Sequence, residues 1–426
     1  MNHQSQLIKF RAAAVFTCIL LLLVYPADAQ KALTLKGRLL DAVTSEPLPF
    51  ATISVPLSMT GVISNQFGEF QYHIPEGFES SMVQITFTGY TPIKIQVSEI
   101  KSDVLTTFKM QPKTQQLHEV EIIAIKGKTP ASDRVLKAIE NIGKTHPNRE
   151  ALLYGYYRDY VRPIQSNDYK NLLEAALIIN DKGFNTFDSK TRFKLEQLRY
   201  KPDVAIDSSL NFAYDGKNKF IPYARLSGAN ELSILRIHDP IRNHDIPTFS
   251  FVNVFDFDFL SGHTFSYEEI AKVDSDTLYT IRFNKHEKYE KTQTEYMVDG
   301  KIYIISKNYA ILKFNYTISC ITPTYSGKFF DLQLEYKNYN DKYYLNYLSM
   351  MNYFVMKNDA ADSNDTVKPY LQYRELFINK IVNKPFNAFK PHEMVNKAAS
   401  LLTNKIPEKE GFWENYNYTG AAKLQE

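Results

Sequence analysis

The sequence predicts a mainly β protein, with a small N-terminal sandwich of six or seven strands preceding a larger α+β domain built on one broad antiparallel sheet. Three observations predict it. Tyr and Phe are numerous, 29 and 28 among 426 residues, and with many Thr, Val and Ile they favour the pleated, half-buried surface of a sheet. Residues 33–110 break into short runs separated by turn residues. Residues 251–382 alternate apolar and polar side chains over long stretches, so one face is dry and the other wet. A chain of this length suits two or three domains, each burying roughly 60 to 70% of its unfolded surface.

The first thirty residues read as an export signal. Lys9 and Arg11 form a basic start, Ala12 to Val24 is apolar but too short to span a bilayer, and Ala27-Asp28-Ala29 is a small-x-small cleavage site. Residues 1–29 are expected to be removed on secretion across the inner membrane, leaving the protein in the periplasm or associated with the outer membrane. Pro26 argues against an uncleaved anchor, and Cys18 lies inside the apolar stretch, away from a lipid-attachment position. Loss of Cys18 leaves Cys320 alone, so no intramolecular disulfide is expected. Its place after Phe314, Tyr316 and Ile318 on a strand pattern suggests a buried, inert thiol. The net charge is +3, or +2 without Lys9, Arg11 and Asp28, and the two signs are interspersed; nothing here suits nucleic acid.

Within 31–112, strands are expected at Leu35–Leu40, Ala51–Val55, Phe67–Ile74, Met82–Thr88, Thr91–Val97 and Leu105–Met110. Pro47, Pro49, Pro56, Pro75 and Pro92 fall at the edges of these runs, where a missing amide does least harm. Four motifs stand in order: Gly37-Arg38-Leu39-Leu40-Asp41, Glu46-Pro47-Leu48-Pro49-Phe50-Ala51, Ser64-Asn65-Gln66-Phe67-Gly68-Glu69-Phe70 and Phe87-Thr88-Gly89-Tyr90. Together they resemble the carboxypeptidase-regulatory-like, transthyretin-like domain. The resemblance implies a β-sandwich accessory without catalytic residues, as found at the N-terminus of Gram-negative envelope proteins. Gly68 suits a turn position needing positive φ, and Phe70 and Phe87 point inward by alternation.

Residues 113–130 read as a linker, with Leu117–Ile123 as a short strand like that which follows such modules in outer-membrane receptors. Thr129 and Pro130 then open a helix as N-cap and first residue; Val135, Ala138, Ile139 and Ile142 share one face, and Gly143 is expected to end it. The rest, 131–426, is expected to hold a sheet core at 251–382 and a helical tail. Strand alternation is plain in Tyr279-Ile281-Phe283, Ile302-Ile304, Leu312-Phe314-Tyr316-Ile318, Leu332-Leu334-Tyr336 and Tyr343-Leu345-Tyr347. Asp299-Gly300, Lys307-Asn308 and Asn340-Asp341 are expected hairpin turns. The run Gly300 to Ile304 resembles the half-barrel sheets of periplasmic lipid and lipoprotein carriers, which implies a half-barrel-like sheet here. His146-Pro147, Gly155-Tyr156-Tyr157-Arg158-Asp159, Leu173-Glu174-Ala175 and Phe412-Trp413-Glu414-Asn415-Tyr416-Asn417 resemble motifs of larger proteins carrying the same N-terminal module.

Chemistry is sought and not found. His118 and Glu121 have a zinc-pair spacing, but on a strand positions three apart face opposite sides, and in metallocarboxypeptidases the regulatory module follows the catalytic domain. Carboxypeptidase activity is therefore not expected. No nucleophile elbow, phosphate loop, dinucleotide fingerprint or calcium loop is present. His238-Asp239-Pro240 to His244-Asp245 is the densest titratable cluster; it reads as a polar loop, with a dispersed hydrolase site as the alternative. Asp256, Asp258, Asp274 and Asp276 read as turn and strand residues. Arg158 either pairs with Asp159 on a surface strand or presents a fork to an anionic ligand. The expectation is a non-catalytic envelope protein with no cofactor or metal, which binds a lipid or other hydrophobic ligand or docks an outer-membrane protein. Its candidate ligand-binding residues are Tyr157, Arg158, Tyr279, Phe283, Tyr316 and Tyr336. A membrane-embedded barrel built from 251–382 is the other alternative, disfavoured by charges on both faces of several strands.

Overall fold

The computed structural model describes residues 33–55, 60–65, 67–87, 90–112, 129–164, 170–201, 230–244, 257–273, 276–323, 325–356, 368–383, 385–407 and 409–417. The expected signal at 1–29, the strand at Leu117–Ile123, the His118 and Glu121 pair, and Asp245, Asp256 and Asp274 lie outside them.

Seven strands build the N-terminal sandwich: β1 (Thr34–Asp41), β2 (Thr52–Ser54), β3 (Gly61–Ile63), β4 (Glu69–His73), β5 (Met82–Thr86), β6 (Ile93–Gln96) and β7 (Leu105–Met110). They form two sheets, ordered β4-β1-β7 and β3-β2-β5-β6, and β1 runs parallel to β7. Leu35, Leu39, Phe70 and Tyr72 from one sheet meet Ile53, Val62, Val83 and Ile85 from the other. The motifs acquire physical reasons. Asn65 accepts bonds through Oδ1 from the amides of Phe67 and Glu69, each at 2.9 Å, which turns the chain and delays β4 to Glu69. Gly68 has φ of 75°, and a Cβ there would strike the Leu39 carbonyl. Asp41 accepts from Val43 and Thr44 amides and from the Tyr90 hydroxyl at 2.6 Å, tying the first motif to the last. The three-residue β3 is an addition to the expected set, too short for alternation to reveal.

After the linker, α1 (Ala131–Glu140) buries Ala131, Val135 and Ala138, the face foreseen. Gly143 does not end the helical stretch; it lies inside α2 (Ile142–Thr145), and the break falls at Asn141. The remaining elements are β8 (Ala151–Pro163), β9 (Lys170–Asp181), β10 (Arg192–Lys201), α3 (Glu231–Ile237), α4 (Phe257–Gly262), β11 (Thr264–Val273), β12 (Asp276–Tyr289), β13 (Thr294–Ile305), β14 (Ile311–Ile321), β15 (Ser326–Tyr339), β16 (Lys342–Met356), β17 (Lys368–Val382) and α5 (Phe412–Asn415). Ten strands form one antiparallel sheet ordered β10-β9-β8-β17-β16-β15-β14-β13-β12-β11.

The sheet is open, as the half-barrel expectation implies, and three other features differ from expectation. It begins at residue 151, not 251, because β8 is buried almost continuously along both faces and shows no alternation to read. Its edge strands β10 and β11 do not pair with each other, so it is open, which rules out the closed barrel considered as an alternative. Asn340 and Asp341, with φ of 50° and 58°, make the expected tight hairpin, and Lys307-Asn308 lies in the turn after β13, but Asp299-Gly300 is mid-strand. Gly300 serves close approach instead: the Phe283 ring lies where its Cβ would be. Lastly, the helical tail reduces to short 3-10 turns and the four residues of α5; the segment runs mostly extended, bonded to strands by Val395 N to Phe193 O at 2.9 Å and Tyr416 Oη to Gly155 O at 2.9 Å.

The sandwich is seated on the large sheet. Tyr347 of β16 and Phe377 of β17 belong to the sandwich's own core, and Phe50 stacks on Tyr347 with ring centroids 4.6 Å apart. Asn417 bonds both the amide and the carbonyl of His73, a further stitch between the two parts.

Candidate functional site

The ten-stranded sheet has two faces of different character. One carries Leu153, Ile179, Ile281, Ile302, Phe314, Leu332, Leu348 and Leu376, covered by α1, α3 and Phe259 of α4. Five of the six sequence-predicted residues, Tyr157, Tyr279, Phe283, Tyr316 and Tyr336, join this single cluster, contributed by strands β8, β12, β14 and β15. Phe283 packs against Phe259 at 5.0 Å and Phe314 at 5.5 Å, and the Arg134 guanidinium lies 3.7 Å from the Tyr279 ring centre. Burial raises the hydroxyl pKa of Tyr157, Tyr316 and Tyr336 well above the usual value.

Arg158 is separated from that group. It sits on the opposite face, only 5% exposed, and its Nε donates to Glu375 at 2.7 Å, while Tyr347 donates to the same carboxylate at 2.8 Å. Arg158 and Asp159 therefore do not pair, and neither is at the surface; successive strand residues face opposite ways. Glu174, Tyr156, Arg199 and Trp413 meet on that same face, with Arg199 over the Trp413 ring at 4.4 Å. The motifs shared with larger proteins that carry the same N-terminal module thus include structural partners that hold the tail to the sheet.

Asp159 belongs to the dry face, where it accepts from Tyr157 at 3.2 Å, Gln372 at 3.2 Å and Arg374 at 2.8 Å. Directly across from Gln372 on β16 is Asn352. Asn352 is wholly buried on the face that carries Leu348 and Met350, and among the described residues neither its amide nitrogen nor its oxygen has a hydrogen-bond partner. A polar strip thus crosses β8, β17 and β16 within an apolar wall, and its far end is unsatisfied. Sequence reading missed Asn352, Gln372 and Arg374 because single polar residues in a strand look like its wet face; the one signal was that they fall in register with apolar neighbours.

The His238 segment is not a polar surface loop. His238 and Asp239 follow α3 and are buried, with His238 Nδ1 at 2.7 Å from the Ile234 carbonyl. Asp239 accepts from Tyr336 at 2.6 Å and from the amides of Ile241 and Arg242. Arg236 and Arg242 meet Asp181 and Asp188 beside it. Burial pushes the Asp239 carboxyl up to about 6; burial would also raise Asp188, but the Arg236 guanidinium outweighs it and holds that carboxyl down to about 2. Burial lowers His238 to about 4, so its ring is neutral at pH 7. The enclosed space here measures about 20 Å³, room for one water and no substrate. Among the described residues no group of three or more His, Cys, Asp or Glu could hold a metal ion, and Cys320 is buried.

Residues 35–122 match the family model described as CarboxypepD_reg-like domain, so the sandwich is a module of that family. No curated protein matches the chain. Among solved structures, a LolA superfamily protein from Nitrosomonas europaea is 10% identical, with a TM-score of 0.20 over 59% of this chain and 93% of that one. A DUF1329 family protein from Desulfovibrio piger is 9% identical, with a TM-score of 0.24 over 61% and 96% of the two chains. A membrane-associated protein of unknown function from Bacteroides fragilis is 9% identical, with a TM-score of 0.15 over 82% and 98%. Likenesses this slight carry no argument about what the chain binds.

Proposed function

We propose that the protein is a non-catalytic binding component of the cell envelope: its ten-stranded sheet holds an amphipathic, acyl-bearing ligand against the dry face, and the sandwich is a fixed adapter on the other. The observation that carries this reading is Asn352, wholly buried with both amide atoms unsatisfied in an apolar wall. A buried amide left without partners costs about 1–3 kcal/mol. It calls for a polar group from outside the described residues. A head group at Asn352, with a chain running along Phe330, Leu332 and Tyr316, answers both the polar strip and the apolar wall. Export by residues 1–29 supplies the compartment.

The test is to purify the protein from its native envelope without harsh detergent, extract it, and identify acyl lipids by mass spectrometry. Near-stoichiometric lipid, reduced in Asn352→Leu while that variant is as stable as the parent or more so, is the expected result. Recovery of the parent with neither lipid nor partner overturns the reading, and recovery with a defined membrane protein but no lipid replaces it with the docking role.

A further inference from the structure

We infer that the seam between the sandwich and the large sheet is a second binding site, for an anionic saccharide. It does not depend on the lipid reading, because it lies on the sandwich side of the sheet. The seam encloses a cleft of about 300 Å³, a volume within the range of ligand sites and at the kind of domain junction where they occur. Its walls come from three places: β2, β3 and β5 of the sandwich, the β15–β16 hairpin, and the end of β17. The antiparallel bridge between Thr60 and Lys380 joins the sandwich to β17 beside it.

The chemistry of the lining selects the ligand class. Gln84 and Thr86 on the sandwich side face Asn338 and Asn340 on the hairpin. Among the described residues these four side chains have no hydrogen-bond partner, so each is free to exchange water for a ligand hydroxyl. Amides and hydroxyls that both donate and accept suit the alternating hydroxyl groups of a sugar ring. Tyr339 adds apolar surface for the ring's C–H face. The charge is one-sided: Lys337 and Lys380 line the cleft and no carboxylate does. Glu335, the nearest acid, is already held by Lys313 at 3.2 Å and by Thr52 at 3.3 Å. Lys337 reaches Ser54 at 3.4 Å with Glu335 close enough to favour its charge, and Lys380 lies 5.2 Å from the Tyr154 ring centre, within electrostatic reach of Glu196. Two cations over an amide-rich floor fit a uronate-type or otherwise acidic sugar better than a neutral one.

The experiment uses the full chain, a fluorescent tetramer of galacturonic acid, neutral maltotetraose and inorganic phosphate. The parent is expected to bind the uronate tetramer with an affinity that falls as salt rises. It should bind maltotetraose at least about tenfold more weakly and phosphate only marginally. Lys337→Gln with Lys380→Gln should cut uronate affinity about tenfold or more; both side chains are exposed, so the melting temperature should not move. Asn338→Ala should weaken binding of the tetramer without altering its salt dependence. No binding of the tetramer by the parent, undiminished binding by the double lysine variant, equal binding of maltotetraose, or phosphate binding as tight as the tetramer each overturns the proposal.

Discussion

Gly300→Ala should cost the large domain about 2 kcal/mol, and the figure follows from the geometry. Gly300 lies mid-strand in β13, opposite Phe283 on β12 and Tyr316 on β14. A Cβ there would fall on the edge of the Phe283 ring and 2.6 Å from the Asn315 carbonyl oxygen. Ordinary carbon contacts need about 3.5 Å, so the ring must move by about 1 Å or more. It has nowhere to go: Phe283 is wholly buried, with Phe259, Phe314 and His263 ring centres at 5.0, 5.5 and 5.6 Å. Overpacking of this kind costs about 1–3 kcal/mol, and the carbonyl clash, which no side-chain rotation relieves, sets it near the top. The lost backbone freedom of glycine in the unfolded chain returns about 0.5–1 kcal/mol. A net loss of about 2 kcal/mol lowers the midpoint of thermal unfolding by roughly 4–8 °C. The assay is urea unfolding followed by near-ultraviolet circular dichroism, in the parent and in Phe283→Leu, whose shorter side chain vacates part of the space. The glycine substitution should cost at least about 1 kcal/mol less in the second background. A change within about 0.5 kcal/mol of the parent, or the same cost in both backgrounds, would refute the close-approach argument.

Asp239 makes stability depend on pH. Its folded pKa of about 6 lies above the ordinary 3.8, so between those values the folded state keeps a proton that the unfolded chain has lost. Stability therefore falls as pH rises from about 4 to 6 and is level above; Asp239→Asn should flatten that slope in urea titrations, and an unchanged slope contradicts the assignment. Glu375→Gln leaves the Arg158 guanidinium buried without its carboxylate and should cost about 3–5 kcal/mol by calorimetry, partly recovered by adding Arg158→Met; a loss under about 1 kcal/mol would show the pair to be dispensable. Burial raises the Cys320 thiol to about 11 at 2% exposure, so a thiol reagent should label it only as fast as the domain unfolds, and prompt labelling in native buffer would place it elsewhere.

The sequence by itself determined what is local. The sandwich was legible because its turns depend on particular residues: Asn65 must accept two amides, Gly68 must take positive φ, and Asp41 and Tyr90 must meet. The strands from β12 to β16 were legible because one face is dry and the other wet, and a period of two survives in the residue order. The alternation placed Tyr279, Phe283, Tyr316 and Tyr336 on one face, whereas Tyr157 was singled out only within its Tyr-Tyr-Arg-Asp segment.

Only the tertiary structure decided the rest. Strands β8 and β9 were hidden because packing covers both their faces and erases the alternation, whereas β10 keeps it from Arg192 to Gln197. Gly300 read as a turn because glycine serves turns and close approaches alike, and only the Phe283 ring across the strand tells them apart. Arg158 and Asp159 are adjacent in the chain, yet each found its partner on β17, more than two hundred residues away, in Glu375 and Arg374. Asn352 became a candidate only when every neighbour was in place. A side chain's charge and shape are written in the residue, but whether they are satisfied depends on groups brought close by pairings distant in sequence.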